Sequence, residues 1–232
     1  KYQECRNYWF LYPDGYEPVL NVSLQGKLDK AYADKSAGMA FGSDTPLYAA
    51  LALLSDSLGI TVIADNIVAE SRCGSLTLAQ IPFQDALEAL LKSARLLPEL
   101  FQVESTAEYI FIYATHNATP PSVLLDRENV TPEQNAFLDK KVDVTLPDAP
   151  DETRQGPMAI GATALAKVLD TLSNSLGVTV TVEPGIDEFP VNPCVMRQVS
   201  VRTAMDLLIR QWFQAEVGYR VDGDHIVIER KK

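Results

Sequence analysis

The sequence predicts an α+β protein made of two repeated βαββαββ modules, each with two helices packed on small mixed sheets. An internal repeat, a leucine stripe that occurs twice and paired turn signals predict this fold class. Sliding the chain by 118 positions, the distance from Leu47 to Leu165, superposes similar residues over a long stretch. The superposed pairs include Leu51 with Leu169, Leu54 with Leu172, Leu58 with Leu176, Gly59 with Gly177, Thr61 with Thr179 and, further along, Phe101 with Tyr219. Two copies of one fold are the economical explanation of this match.

The first helix of each module is predicted from leucine spacing. Leu47, Leu51, Leu54 and Leu58 are four, three and four residues apart, which places them on one face of an α-helix. Gly59 then stands where helices commonly end in a left-handed residue, and Gly177 holds the same place in the second copy. The β-branched runs at 60–63 and 178–182 follow as strands.

Four further segments are predicted in each module from alternation, helical spacing and turn signals. In the first module they are an opening strand at 19–24, a strand through Leu76, Leu78 and Ile81, a helix over 83–91 and a hairpin of 100–104 with 109–113. In the second module they are an opening strand at 142–146, a strand at 195–199, a helix over 201–209 and a hairpin of 216–221 with 225–229. The second hairpin turns at Asp222-Gly223-Asp224, where Asp-Gly is a strong turn signal.

These segments divide the chain into an N-terminal extension at 1–18, a first module at 19–114, a linker at 115–140 and a second module at 141–232. Within the linker, Thr131 before Pro132 predicts a short helix. The extension has no counterpart in either module. Because Trp9, Phe10 and Tyr12 lie so close together, we expect the extension to pack on the first module.

Each predicted module has a helix ending in leucine-glycine, a strand after it, and a later helix with an apolar pair. The first copy carries Leu58-Gly59 and Asp85-Ala86-Leu87, and the second carries Leu176-Gly177 and Thr203-Ala204-Met205. This pattern resembles the short N-terminal domain found in secretins and in some TonB-dependent receptors. The matched positions are mostly packing positions, so the resemblance bears on fold more than on activity.

The resemblance implies a non-enzymatic periplasmic module that works through protein–protein contacts, either by itself or as part of an outer-membrane protein. We therefore expect its partners to be protein components of a secretin-type secretion or type IV pilus system, and homo-oligomerisation into a ring is a further expectation. The alternative is a signalling domain of a TonB-dependent receptor-like system, or a free-standing cell-envelope binding protein of the same fold. Exposed strand edges are the expected working surfaces, because their unpaired backbone groups can recruit another strand. No partner-binding residue is assigned.

No catalytic, metal or cofactor site is predicted. The chain lacks a G-x-S-x-G turn, an H-E-x-x-H pair and a glycine-rich phosphate loop. Its two histidines, His116 and His225, lie at the linker edge and in the last strand, where ordinary structural roles are expected. A hydrolase with a site between the modules is a third hypothesis, which predicts a deep cleft with a perturbed acid or base.

Two weaker motifs favour ordinary structural interpretations. The carboxylates Asp148, Asp151 and Glu152 lie in a proline-containing loop that lacks the alternating ligands and central glycine of a calcium loop, so a solvated loop is expected. Asn-x-Ser/Thr triplets occur at three positions, Asn21, Asn117 and Asn129, and carry little weight in the bacterial protein that the resemblance implies.

Composition excludes several classes of partner. The net charge of -11 and the lack of a Lys/Arg run argue against nucleic acid and anionic membrane surfaces. No stretch approaches the roughly 20 apolar residues of a membrane span, so no direct membrane insertion by this segment is expected. Cys5, Cys73 and Cys194 form no C-x-x-C pair, which argues against zinc. Ordinary thiols are expected, and one disulfide with a leftover thiol stays open.

Overall fold

The computed structural model describes residues 1–12, 21–117, 124–125, 130–147, 162–212 and 216–231. Within them the chain is a mixed α+β protein with six α-helices and several small sheets, in agreement with the predicted class. We call residues 21–117 the first half and residues 130–231 the second half. The carboxylates Asp148, Asp151 and Glu152 and the triplet asparagine Asn129 lie outside the described residues.

A short hairpin precedes the first half, in which β1 (Tyr2–Glu4) pairs antiparallel with β2 (Trp9–Leu11). The first half then contains β3 (Ser36–Phe41), β4 (Thr45–Pro46), α1 (Leu47–Leu58), β5 (Thr61–Ala64), α2 (Asn66–Ala69), β6 (Arg72–Cys73), β7 (Leu76–Pro82), α3 (Phe83–Ser93), β8 (Phe101–Ser105) and β9 (Tyr109–Ala114). The second half contains α4 (Pro132–Leu138), β10 (Lys141–Leu146), β11 (Thr163–Ala164), α5 (Leu165–Leu176), β12 (Thr179–Val182), β13 (Pro190–Val191), β14 (Cys194–Ser200), α6 (Val201–Arg210), β15 (Val217–Asp222) and β16 (His225–Arg230).

The strands of the two halves pair in the same way. An antiparallel pair with a bulge joins β3 to β7 and β10 to β14, and a short antiparallel pair joins β4 to β6 and β11 to β13. Three-stranded sheets have the orders β5-β9-β8 and β12-β16-β15, and in each the first strand runs parallel to the central one. When the strand pairings of the two halves are matched, the last hairpins are 116 positions apart, as from Ile112 to Ile228. Phe101 therefore corresponds to Val217 and not to Tyr219. Two fewer residues therefore separate the start of α6 from the start of β15 than separate the start of α3 from the start of β8.

The order of elements is richer than the predicted βαββαββ. Each half adds two short strands, and the first half also contains α2, whose first turn is capped by the Asp65 side chain accepting from Val68 N–H at 2.8 Å. The added strands are short, paired segments that flank α1 and β5 in the first half and α5 and β12 in the second.

The predicted opening strand at 19–24 is wrong for the described residues 21–24, which form no strand; Val19 and Leu20 lie outside them. Val22 and Leu24 are buried, so the alternation of apolar and polar residues reflects the burial of these two side chains. It does not reflect pairing with a neighbouring strand. The Leu24 N–H donates to Glu88 Oε1 of α3 at 2.7 Å instead of to a neighbouring strand. The strand that opens the first half is β3, whereas β10 lies where the sequence predicts it.

Several predicted boundaries are confirmed. Gly59 and Gly177 end their helices with φ of 60° and 68°, and each donates its N–H to the carbonyl four residues earlier. The linker helix α4 begins with a capping box in which Thr131 and Gln134 bond each other's backbone. Gly223 has the positive φ that the Asp-Gly turn requires.

Two hydrophobic cores hold the fold together. The first contains the buried face of α1 and α3 and also Tyr8 and Phe10, so the N-terminal segment packs on the first half. The second contains α5 and α6 and also Ile63, Tyr109 and Phe111 from the first half. Among the described residues no helix combines the length and the apolar character needed to cross a bilayer.

Candidate interaction surface

The two histidines considered for catalysis lie where the sequence places them, His225 at the start of the last strand and His116 just after β9. His225 Nδ1 lies 2.6 Å from Asp224 Oδ1 beside the turn of the last hairpin, and His116 lies in the turn after β9. The part of the chain that the structure describes holds no group of three His, Cys, Asp or Glu side chains placed to bind a metal ion. Asn117, one of the triplet asparagines, is buried and donates to Asp65 Oδ2 at 2.8 Å, so a glycan has no access to it.

The three cysteines are free thiols in the structure. Burial raises the pKa of Cys73 to about 11 and that of Cys194 to about 12. Both are therefore protonated near neutral pH, and neither is an activated nucleophile.

Among the described residues Asp65 is the most buried carboxylate, and it has a structural role. Burial raises its pKa, and hydrogen bonds from Asn117, Val68 N–H and Ala114 N–H oppose that rise. Asn117 also donates to the Arg210 carbonyl at 3.3 Å in the second half. Asp65 thus fixes the end of β5, the start of α2 and a contact between the halves.

The two halves meet where β14 lies beside β5 and α1. The Arg197 N–H donates to Thr61 Oγ1 at 2.8 Å, and the Thr61 hydroxyl donates back to the Arg197 carbonyl at 3.3 Å. The Arg197 guanidinium pairs with Asp56 at 2.5 Å. The Thr61 side chain therefore hydrogen-bonds both the N–H and the carbonyl of Arg197, which point away from β10.

A second contact between the halves joins the β8–β9 hairpin to α6. Arg210 is 3% exposed and donates two hydrogen bonds, at 3.1 and 2.6 Å, to the two carboxylate oxygens of Glu104. Its guanidinium carbon lies 4.2 Å from the centre of the Phe111 ring, a cation–π distance. Burial acts to raise the pKa of Glu104, but the bonds from Arg210 and Tyr109 and the Arg210 charge hold that pKa below its usual value.

The same hairpin also reaches the start of α6 through its tip. Glu108 accepts from the Thr203 hydroxyl at 2.8 Å and from the Ser200 N–H at 3.4 Å, and it pairs with Lys141. Burial acts to raise the pKa of Glu108, whereas these bonds and the Lys141 charge lower it below the usual value. We call the two contact points of this hairpin, near Thr203 and near Arg210, the α6 joint.

The N-terminal hairpin matches the β8–β9 hairpin in register. A displacement of 101 positions, from Leu11 to Ile112, carries the pair Tyr2–Leu11 onto Val103–Ile112 and Glu4–Trp9 onto Ser105–Ile110. The turns match too, because Cys5 N–H donates to Tyr8 O at 2.9 Å as Thr106 N–H does to Tyr109 O at 2.9 Å. Residues 1–12 thus share the geometry of the closing hairpin of the first half.

The N-terminal hairpin also contacts α3 at the places where the β8–β9 hairpin contacts α6. Asn7, the counterpart of Glu108, donates to Asp85, the counterpart of Thr203. Tyr8, the counterpart of Tyr109, accepts from Lys92 Nζ at 3.0 Å, and Lys92 is the counterpart of Arg210. We call this pair of contacts the α3 joint. One packing geometry is therefore made twice with different side chains.

The strand edges at which we expected partners have internal hydrogen bonds at several points. The Val62 N–H donates to Ser55 Oγ at 2.9 Å, and the Val180 N–H donates to Ser173 Oγ at 3.0 Å, so a helix serine occupies each edge. On the far edge of β15, Tyr219 N–H donates to Leu124 O at 2.9 Å, and Leu125 forms a parallel bridge with Tyr219. These bonds make β5, β12 and β15 poorer docking edges than expected.

The outer face of the N-terminal hairpin is the strongest candidate surface. Tyr2, Trp9 and Leu11 are 63%, 56% and 75% exposed, and the register places all three on one face. Tyr2 and Trp9 also contact each other, with ring centres 5.1 Å apart. We call these three side chains the hairpin face. An exposed contiguous apolar face on a short hairpin is typical of a protein contact.

Sequence reasoning missed this surface, although a signal was present. Residues 8–12 and 109–113 share tyrosine, phenylalanine and tyrosine at alternate positions, as Tyr8-x-Phe10-x-Tyr12 and Tyr109-x-Phe111-x-Tyr113. The displacement of 101 positions differs from the 118 of the main repeat, so a search at a single offset does not find it.

Comparison with protein-family models, with curated proteins and with solved structures finds no significant match to this chain.

Proposed function

We propose that this chain is a non-enzymatic protein–protein interaction module of the periplasm, acting in a secretin-type secretion or type IV pilus system. The single observation that carries the interaction role is the hairpin face, where three large apolar side chains stand exposed on a hairpin anchored to α3. The assignment to a secretion or pilus system rests on the resemblance to secretin N-terminal domains.

We further propose that the two halves are copies of one module that arose by duplication. Their matching sheet pairings, their left-handed glycine stops and the corresponding serines at Val62 and Val180 support this view. The net charge of -11 agrees with protein partners and disfavours nucleic acid.

The alternative of a receptor signalling domain or a free-standing envelope protein uses the same surface with another partner. One experiment separates these functions: the full chain is used as bait in an envelope extract, and bound proteins are identified by mass spectrometry. We expect wild type to recover secretion or pilus components, and Leu11→Ser to lose them because it removes apolar contact area from the hairpin face.

Leu53→Ser is the matched control, because Leu53 is 58% exposed but lies on α1, away from the hairpin. Recovery of an anti-sigma regulator instead would favour the signalling alternative. Recovery that is equal for wild type and Leu11→Ser would contradict the hairpin face as the binding surface.

A further inference from the structure

Each closing hairpin of the two halves is covered on one side by its own helix and strand. In the first half, Ile110 and Ile112 of β9 turn into the core that contains α1, and both are 0% exposed. In the second half, Ile226 and Ile228 of β16 are likewise 0% exposed in the core that contains α5.

The N-terminal hairpin has the counterparts of these residues without that cover. Trp9 corresponds to Ile110 and Leu11 to Ile112, and both are more than half exposed. The opposite side of the hairpin is complete, because Tyr8 and Phe10 are buried in the first core as their counterparts Tyr109 and Phe111 are in the second. One side of the hairpin is therefore packed against a hydrophobic core, and the other side is exposed.

The backbone of β2 indicates what is missing. Cys5 N–H bonds Tyr8 O and Tyr12 N–H bonds Lys1 O, so alternation turns the polar groups of Trp9 and Leu11 away from β1. At the corresponding place in β9, the Ile112 carbonyl accepts from Asp65 N–H at 2.9 Å, at the end of the parallel strand β5. Among the described residues β2 pairs with β1 alone.

We infer that the hairpin face and the outer edge of β2 bind a helix–strand element of a partner polypeptide, with the chemistry of α1–β5 or α5–β12. Such an element is an amphipathic helix with a leucine stripe, a glycine stop and a short β-branched strand. The helix covers Tyr2, Trp9 and Leu11, and the strand pairs parallel to β2. This inference rests on the proposed interaction function and specifies the kind of partner.

The test uses the full chain and a synthetic peptide with the sequence of residues 163–183, which contains α5 and β12 and has a polar outer face. Calorimetric titration is expected to show saturable binding with one peptide per chain. Leu11→Ser is expected to weaken that binding at least about tenfold, which corresponds to 1.4 kcal/mol. Leu53→Ser, the matched exposed leucine, is expected to bind as wild type does.

A second peptide tests the strand contact. In β12 the Val180 N–H bonds Ser173 and the Glu183 N–H bonds Ile228 O, so alternation turns the Thr181 N–H towards the paired strand. The peptide with Thr181→Pro removes this donor and should bind at least about tenfold more weakly. As an independent readout, the emission of exposed Trp9 should shift to the blue on binding, whereas Trp212 is already buried.

No binding, or binding that Leu11→Ser leaves unchanged, would overturn the inference; the second result would mean that the peptide exchanges with the chain's own α5–β12 element. If the peptide fails while capture of envelope proteins still depends on Leu11, the proposed function stands and only the kind of partner is wrong.

Discussion

Arg210 and Lys92 hold corresponding places in the two joints but cannot exchange roles. The planar guanidinium of Arg210 binds both oxygens of Glu104 in a fork that a lysine ammonium cannot form, and it lies over the Phe111 ring. Lys92 instead donates to the Tyr8 hydroxyl at 3.0 Å and to Cys5 Sγ at 3.7 Å, and its Nζ lies 5.5 Å from the Tyr8 ring centre. We therefore regard the α6 joint as the stronger of the two.

Leu176 and Leu58 correspond in the repeat but differ in burial, and this difference can be measured. Leu176 is 3% exposed within the second core, whereas Leu58 is only partly buried against the first. Leu176→Ala should lower the free energy of unfolding by about 2 to 5 kcal/mol, and Leu58→Ala by clearly less, because truncation costs most where a cavity is left. Urea melts of both variants check this. Equal losses of unfolding free energy would contradict the difference in burial between Leu176 and Leu58.

Gly218 is required by a close approach of the linker to β15. A Cβ at this position would lie 2.5 Å from the Leu124 carbonyl oxygen and 2.6 Å from Lys231 Cε. The lysine can move, but the carbonyl accepts from Tyr219 N–H and cannot.

Gly218→Ala should therefore destabilise the fold by about 1 to 3 kcal/mol and detach Leu124–Leu125 from the strand. Thermal melting measures the loss, and hydrogen exchange of the Tyr219 amide measures the detachment. Gly42→Ala is the control, since a Cβ there meets nothing within 4 Å. An unchanged exchange rate for the Tyr219 amide in Gly218→Ala would show that the segment is held by other contacts.

At the scale of elements, Ser55 and Ser173 occupy sheet edges that would otherwise recruit strands. Each serine lies on the last turn of a helix and bonds the backbone of the strand that follows the glycine stop. Sheet edges without such a bond promote non-specific strand pairing. The repeat therefore includes its own protection against edge-to-edge association.

The elements that sequence could predict are those with a local cause. Helices α1 and α5 follow from leucine spacing and end at glycines, so both their existence and their ends are predicted. Strand β3 was missed because the run 36–41 contains no β-branched residue, while 19–24 shows the alternation that is typical of a strand. Strand β3 forms because it pairs with β7, and not because its own residues have a high β-strand propensity.

The candidate surface could be predicted only in part. The aromatic cluster of the extension indicates packing on the first half, and Phe10 is indeed buried there. Which aromatic side chains face outward depends on the pairing of Tyr2 with Leu11, and that pairing is set by the tertiary structure. The contact of Thr61 with Arg197 joins residues far apart in the chain and has no local signal.

At the scale of the whole molecule, acid should loosen the contact between the halves. The pKa of Glu104 is lowered in the folded protein, so its contribution to stability is complete above its ordinary pKa of 4.5. That contribution is lost as the pH falls through the lowered folded-state pKa. Asp65 has a raised pKa and the opposite pH dependence, but it is present in every variant that changes Glu104.

Glu104→Gln should therefore cost about 2 kcal/mol at pH 7, less than for a fully buried pair because Glu104 stays 29% exposed. The difference in unfolding free energy between wild type and this variant should shrink towards zero as the pH falls below 4.5. Denaturant melts at several pH values check this. A difference that stays constant with pH would mean that the Glu104 carboxylate charge does not stabilise the interface.

The two joints make one further consequence visible. In both joints a hairpin contacts the same two helix positions: Asn7 bonds Asp85 and Tyr8 bonds Lys92 on α3, while Glu108 bonds Thr203 and Glu104 bonds Arg210 on α6. The two joints therefore share their helix positions and their hairpin register, while the side chains that bond differ. Under the duplication proposed above, we expect related chains to differ in length by whole units, because each unit needs only a hairpin behind it and a helix ahead.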